Sequence, residues 1–176
     1  MEILDFSPSI LNIQERTRLQ CMLNCIHGSR NPLCPPRCPD TAWFKNIIKC
    51  YEYAYLCYEI ISYGDSVNLW KHIRAFQGKM LAKEHSLKRD GHFFAISFFS
   101  GACSMCDEHP CRLHECNRKS VGRTPICGTG INIAELCQPY PNLTQELQLS
   151  FWKPLLATEY VKYTNYKHLC LGVIFY

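Results

Sequence analysis

The chain reads as a single α/β domain, a small mixed sheet flanked by helices and carrying two cysteine-rich loops. Three observations predict this class. Two runs, "YAYLCYEII" (Tyr53–Ile61) and "FFAISFF" (Phe93–Phe99), have the aromatic and branched composition of buried strands. Between them lies an amphipathic stripe with helical spacing. The length, 176 residues, suits one domain (1–176) with a real core.

The elements follow in order. Cys21 and Cys25 stand one helical turn apart and can share a face. Cys34-Pro35-Pro36-Arg37-Cys38 cannot be helical throughout, because its prolines stiffen a turn. Asp40 or Thr41 caps a short helix whose apolar stripe is Trp43, Ile47, Cys50 and Tyr51. The first strand follows and turns at Gly64 and Asp65. Asp65 or Ser66 then caps a longer helix with the stripe Leu69, Ile73, Phe76, Met80 and Leu87, in steps of four, three, four and seven. Gly91 ends it, and Phe93–Phe99 forms the second strand. Strand, helix, strand at this spacing predicts a right-handed crossover and two parallel strands. The second strand leads into Gly101 and a cysteine loop, so a rigid strand end fixes the loop's origin. "GINIAELC" (Gly130–Cys137) reads as a short helix, residues 141–166 are ambiguous, and "CLGVIFY" (Cys170–Tyr176) is a final strand.

Composition removes several classes of function. At 47% apolar and 19% charged, the chain is not of the disordered type. A net charge of +4 is mild, and the densest basic stretch, Lys71 to Arg89, reads as the solvated face of a helix. No nucleic-acid partner is expected. No apolar run reaches the length of a membrane span, and "MEILDFSPSI" lacks a basic n-region, so a cytoplasmic protein is expected. There is no G-x-S-x-G, P-loop or dinucleotide fingerprint to name a reaction.

Thirteen cysteines are the feature that asks for chemistry. An odd number cannot be satisfied by internal disulfides alone, and reducing compartments keep thiols free for metal or redox work. Two groups are dense. Cys103, Cys106, Cys111 and Cys116 are spaced C-x2-C-x4-C-x4-C among polar residues that do not build a core. Cys21, Cys25, Cys34 and Cys38 are spaced C-x3-C-x8-C-x3-C. Four converging thiolates suit zinc or an iron–sulfur cluster. Zinc ribbons bring two C-x2-C pairs, whereas here one pair is followed by a dense string, which favours cluster ligation. His109 and His114 are alternative ligands, and Arg112 and Arg123 are candidates to donate to cluster sulfurs. Cys50, Cys57, Cys127, Cys137 and Cys170 are expected as buried thiols, with Cys127 the least safe of them.

In their order these motifs resemble the predicted metal-binding protein family, domain of unknown function twenty-two eighty-four. The features that carry the resemblance are Cys25 ahead of "CPPRCP" (Cys34–Pro39), a strand entering "GACSMC", then Cys111, Cys116 and "RTPICGTGINI" (Arg123–Ile133). The match spans about residues 21–176. Thr124 and Pro125 stand where the family has Pro-Ser, Ala102 where it often has Pro, and Asn117 where it often has Arg. The resemblance implies metal or iron–sulfur binding and carries no reaction with it.

The leading expectation is an iron–sulfur protein with one or two 4Fe–4S clusters, one on each cysteine group, working in electron transfer with a larger redox partner. The alternatives are a zinc-stabilised interaction module and an enzyme whose 4Fe–4S cluster has an open iron for substrate.

Overall fold

A computed structural model describes residues 1–25, 31–63, 69–106, 115–146 and 166–176. The strands are β1 (Glu2–Phe6), β2 (Ala54–Tyr63), β3 (Ile96–Phe99) and β4 (Tyr166–Phe175). The helices are α1 (Glu15–Asn24), α2 (Thr41–Ile48), α3 (Leu69–Arg89) and α4 (Ile133–Cys137), with 3-10 turns at Pro8–Ile10 and Ile126–Thr129. Residues 141–146 are also helical. The expected caps at Asp65 or Ser66 and the turn at Gly64 lie outside the described residues.

The α/β class and the small, helix-flanked sheet stand. Strand order is β1-β2-β4-β3, and every neighbouring pair is antiparallel. β2 and β3 therefore run in the same direction, as the strand–helix–strand pattern requires, but they are not neighbours. β4 lies between them, pairing with β2 from Ala54↔Phe175 to Tyr63↔Tyr166 and with β3 from Ile96↔Phe175 to Phe99↔Gly172. β1, which the sequence did not announce, is an edge strand with exposed Glu2 and Asp5. Charge on an edge is a usual guard against further strand pairing.

Helices cover both faces of the sheet, which explains the near-continuous apolar runs of its strands. On one face α3 lays Phe76, Met80 and Leu87 against Cys57, Phe99, Cys170 and Ile174. On the other, Phe44 and Ile48 of α2 and Leu136 of α4 pack on Leu56, Phe98, Leu171 and Val173. Alternate residues of β4 serve the two cores in turn, as a period of two demands.

Three readings of single elements are corrected. Asp40 does cap α2, its Oδ1 accepting from the Trp43 N–H at 2.8 Å. The buried face of that helix, however, is Thr41, Phe44 and Ile48. Trp43 is 48% exposed and Cys50 is also exposed, because the edge-on contact of Phe44 with Phe98 (5.5 Å) turns the other face to the sheet. β3 starts at Ile96, and Phe93 and Phe94 are 75% and 85% exposed, since β4 has no residue paired beyond Phe175 to receive them. The seven-residue step in the α3 stripe hides Glu84, a carboxylate that is fully buried. Among the described residues, no helix is long and apolar enough to cross a membrane.

Candidate metal centre

The first cysteine group is assembled by α1, the Cys-Pro-Pro turn and a distant 3-10 turn. α1 presents Cys21 from its last turns and ends on Cys25 as its C-cap. The N–H groups of Arg37 and Cys38 both donate to the Cys34 carbonyl, at 3.0 and 3.3 Å, which curls the turn so that Cys34 and Cys38 face inward. Cys21, Cys34 and Cys38 are buried and Cys25 is half-buried. The thiol of Cys34 lies within the electrostatic reach of Cys21, Cys25 and Cys38, so the structure brings all four expected residues together.

Two further residues join this group. Cys127, half-buried on the 3-10 turn Ile126–Thr129, donates to the Cys21 sulfur at 3.4 Å. Arg18, only 8% exposed, donates from Nη1 to the Cys38 sulfur at 3.2 Å and to the carbonyls of Pro39 (2.7 Å) and Gly128 (2.8 Å). Its Nη2 reaches the Cys38 carbonyl at 3.1 Å. No motif flags Arg18, but its place one turn before Cys21 on α1 puts it on the cysteine face.

The electrostatics are those of crowded, buried thiols. The hydrogen bond with Cys127, together with burial, pushes Cys21 up to about 12, against a lowering contact with Cys25. Burial likewise raises Cys34. It raises Cys38 too, with Arg18 opposing. Such thiols deprotonate when a metal ion supplies the compensating charge, so binding here releases protons. The donor set is all sulfur, which fits a soft thiophilic metal or an iron–sulfur cluster and does not suit a hard, oxygen-seeking cation.

The second group grows from the end of β3. Cys103 is buried, and half-buried Cys106 and Cys116 lie within its electrostatic reach. Burial raises the Cys103 thiol, while backbone N–H groups of Arg123 and Met105 lower it. Cys111, His109, Arg112 and His114 lie outside the described residues. Gly122 belongs to this site through close approach, since a β-carbon there would stand 2.8 Å from the Cys116 sulfur and 2.9 Å from Leu33.

Helix α3 fixes where this loop begins and ends. Gln77, 1% exposed, donates to the Ala102 carbonyl (3.1 Å) and accepts from the Ser104 N–H (2.7 Å), bracketing Cys103. Arg74 donates to the Ser104 carbonyl at 2.9 Å. Arg123, a candidate donor to sulfur in the sequence, turns its guanidinium to Glu84 in a two-point pair, Nη2 to Oε1 at 2.6 Å and Nε to Oε2 at 3.0 Å. Glu84 also takes hydrogen bonds from Lys88 and from the N–H and hydroxyl of Ser97. Burial alone would raise its carboxyl, but Arg123, Lys88 and Ser97 overcome that and hold it at about 2. A carboxylate inside an apolar stripe was the available signal for this clamp.

The two groups adjoin. Cys103 is among the thiols whose charge is felt at Cys34. Leu33, beside Cys34, lines one recess together with Cys103, Cys106 and Cys116. Among the described residues, no three His, Cys, Asp or Glu side chains converge on a point that would hold a single metal ion as they stand. The scattered cysteines Cys57, Cys137 and Cys170 are buried as expected, unlike Cys50.

No curated protein and no solved structure matches this chain significantly. A family model does. That of the predicted metal-binding proteins (DUF2284) matches residues 5–148, a span holding both cysteine groups, the Cys-Pro-Pro turn and the Cys127 turn. The all-sulfur donor sets and the extent of this match agree, and the chain belongs to the predicted metal-binding protein family.

Proposed function

We propose that the chain is an iron–sulfur protein that carries 4Fe–4S clusters and exchanges electrons with a larger redox partner. Cys21, Cys25, Cys34 and Cys38 surround the first cluster, and Cys103, Cys106, Cys111 and Cys116 the second. The observation that carries this reading is that the two thiol groups adjoin, Leu33 beside Cys34 lining one recess with Cys103, Cys106 and Cys116. Each group has four cysteines, one for each iron of a cubane. When bound, such clusters supply one-electron chemistry, and two of them side by side give an electron a path through the protein. The chain's own part is to hold thiolates, to exclude water around Cys34 and Cys103, and to set the local charge through Arg18.

Anaerobic isolation followed by iron and acid-labile sulfide analysis tests this directly. The expected protein is brown, bleaches in air and gives a paramagnetic signal on reduction. A colourless protein holding zinc without sulfide would overturn the iron–sulfur reading.

One observation favours that zinc reading. The 3.4 Å between the Cys21 and Cys127 sulfurs is near the roughly 3.8 Å edge of a tetrahedron with 2.3 Å zinc–sulfur bonds. In that case the first group is a structural site that fastens α1 to the Ile126–Thr129 turn, and the chain is an interaction module without redox work.

A further inference from the structure

The sequence puts Cys127 ninety or so residues from the Cys-Pro-Pro turn and eleven after Cys116. Distance along the chain therefore ties it to the second cysteine group. The fold places it at the first. Its sulfur is 3.4 Å from that of Cys21, across 106 residues of sequence. The turn that bears it is held against the site at Gly128. Arg18 holds the Gly128 carbonyl at 2.8 Å from the same nitrogen that donates to the Cys38 sulfur. The Cys38 thiol itself lies 3.7 Å from that carbonyl oxygen. A β-carbon on Gly128 would meet Pro35 at 3.1 Å, so the turn seats closely on Cys34-Pro35. The Phe99–Pro125 bridge and the Arg123–Glu84 pair fix the turn's approach from the other direction.

We propose that Cys127 is a ligand of the first metal centre, which is thus closed by two segments about a hundred residues apart. The inference rests on reading that cysteine group as a metal centre, whatever the metal, and not on its being an iron–sulfur cluster. A thiol brought this near Cys21 by a turn fitted against the Cys-Pro-Pro segment is placed to ligate rather than to fill a core. Cys57, Cys137 and Cys170 show the contrast, since each is buried among apolar side chains of the sheet and helices. Ligation by Cys127 would make metal binding fasten α1 to the segment that follows the second cysteine loop. The two centres would then share a strut.

The test uses the full chain, purified without air. Metal of every kind and sulfide are counted per chain for wild type, Cys127→Ser and the control Cys57→Ala. In parallel, native wild type is alkylated with iodoacetamide under a phosphine reductant, before and after chelation, and each cysteine is followed by peptide mass spectrometry. Cys127→Ser is expected to lose the metal of one centre while Cys57→Ala keeps it all. Cys127 in wild type is expected to resist alkylation until the metal is removed, whereas exposed Cys50 reacts in both states. Full metal content and an unchanged spectrum in Cys127→Ser would overturn the proposal. So would alkylation of Cys127 as fast as Cys50 in the loaded protein, a result that stands even if the serine variant fails to fold. Wild type isolated with zinc, from which Cys127→Ser loses one equivalent, sinks the iron–sulfur reading and upholds this one. Wild type that takes up neither iron nor zinc sinks both.

Discussion

Arg18 satisfies four acceptors with one guanidinium, and one of them is a cysteine sulfur of the first centre. A buried cation beside a thiolate favours the state with more negative charge, so it raises the potential of a redox metal there. Arg18→Gln is therefore expected to lower the midpoint potential of the first centre in an anaerobic redox titration. It should also cost roughly 1–3 kcal/mol in urea unfolding, because buried carbonyls lose a charged donor. An unchanged potential would mean the guanidinium is only a structural brace. Glu84 makes a second residue-scale case. Its folded carboxyl sits at about 2, below the ordinary 4.5, so the stabilisation is present above pH 4.5 and is lost as pH falls toward 2. Glu84→Gln leaves Arg123 without its partner and should cost about 3–5 kcal/mol near neutrality. Its urea midpoint should fall less than that of wild type between pH 4.5 and 2. Parallel acid limbs for the two proteins would assign the carboxyl no such role.

At the scale of elements, the second loop depends on close approach as much as on ligands. Gly122→Ala would force a methyl group to within 2.8 Å of the Cys116 sulfur and 2.9 Å of Leu33. The expected outcome is a lower metal content of the second centre with the first intact, read by metal analysis and spectroscopy. Metal content equal to wild type would show that the loop yields easily. The sequence made α2, α3, α4 and most strands legible because composition and period are local properties, whereas α1 and β1 carry no such signal. The α3 stripe was readable down to Leu87, and Asp40 was readable as a cap. Pairing was not, because a sheet covered on both faces by helices has the same apolar runs whether its strands are parallel or antiparallel. The short α2 was read on its wrong face, since Trp43 and Phe44 both fall at helical spacing and only Phe98 across the core chooses between them. Within the candidate site, clustering in sequence revealed both cysteine groups. Arg18, Gln77 and the contact of Cys127 with Cys21 are products of tertiary packing, which spacing does not encode.

For the whole molecule, metal removal should act unevenly. β2 and β4 pack into both cores through apolar side chains, whereas α1, residues 31–38 and the Ile126–Thr129 turn meet at the cysteines, Arg18 and the Pro35–Gly128 contact. Hydrogen exchange before and after chelation should show protection lost in those two segments and in the end of α1, with β2 and β4 nearly unchanged. Uniform loosening of the sheet would contradict this division. The position of β4 has another consequence. The strand that joins β2 to β3 comes last in the element order, sixty-seven residues after β3 ends at Phe99. On the ribosome, at 5–20 residues per second, that interval is roughly 3–13 s. Throughout it, β3 has been made but has no partner strand. Both cysteine groups thus emerge before the sheet is complete. β3 takes its place in the sheet only once the closing strand has been made.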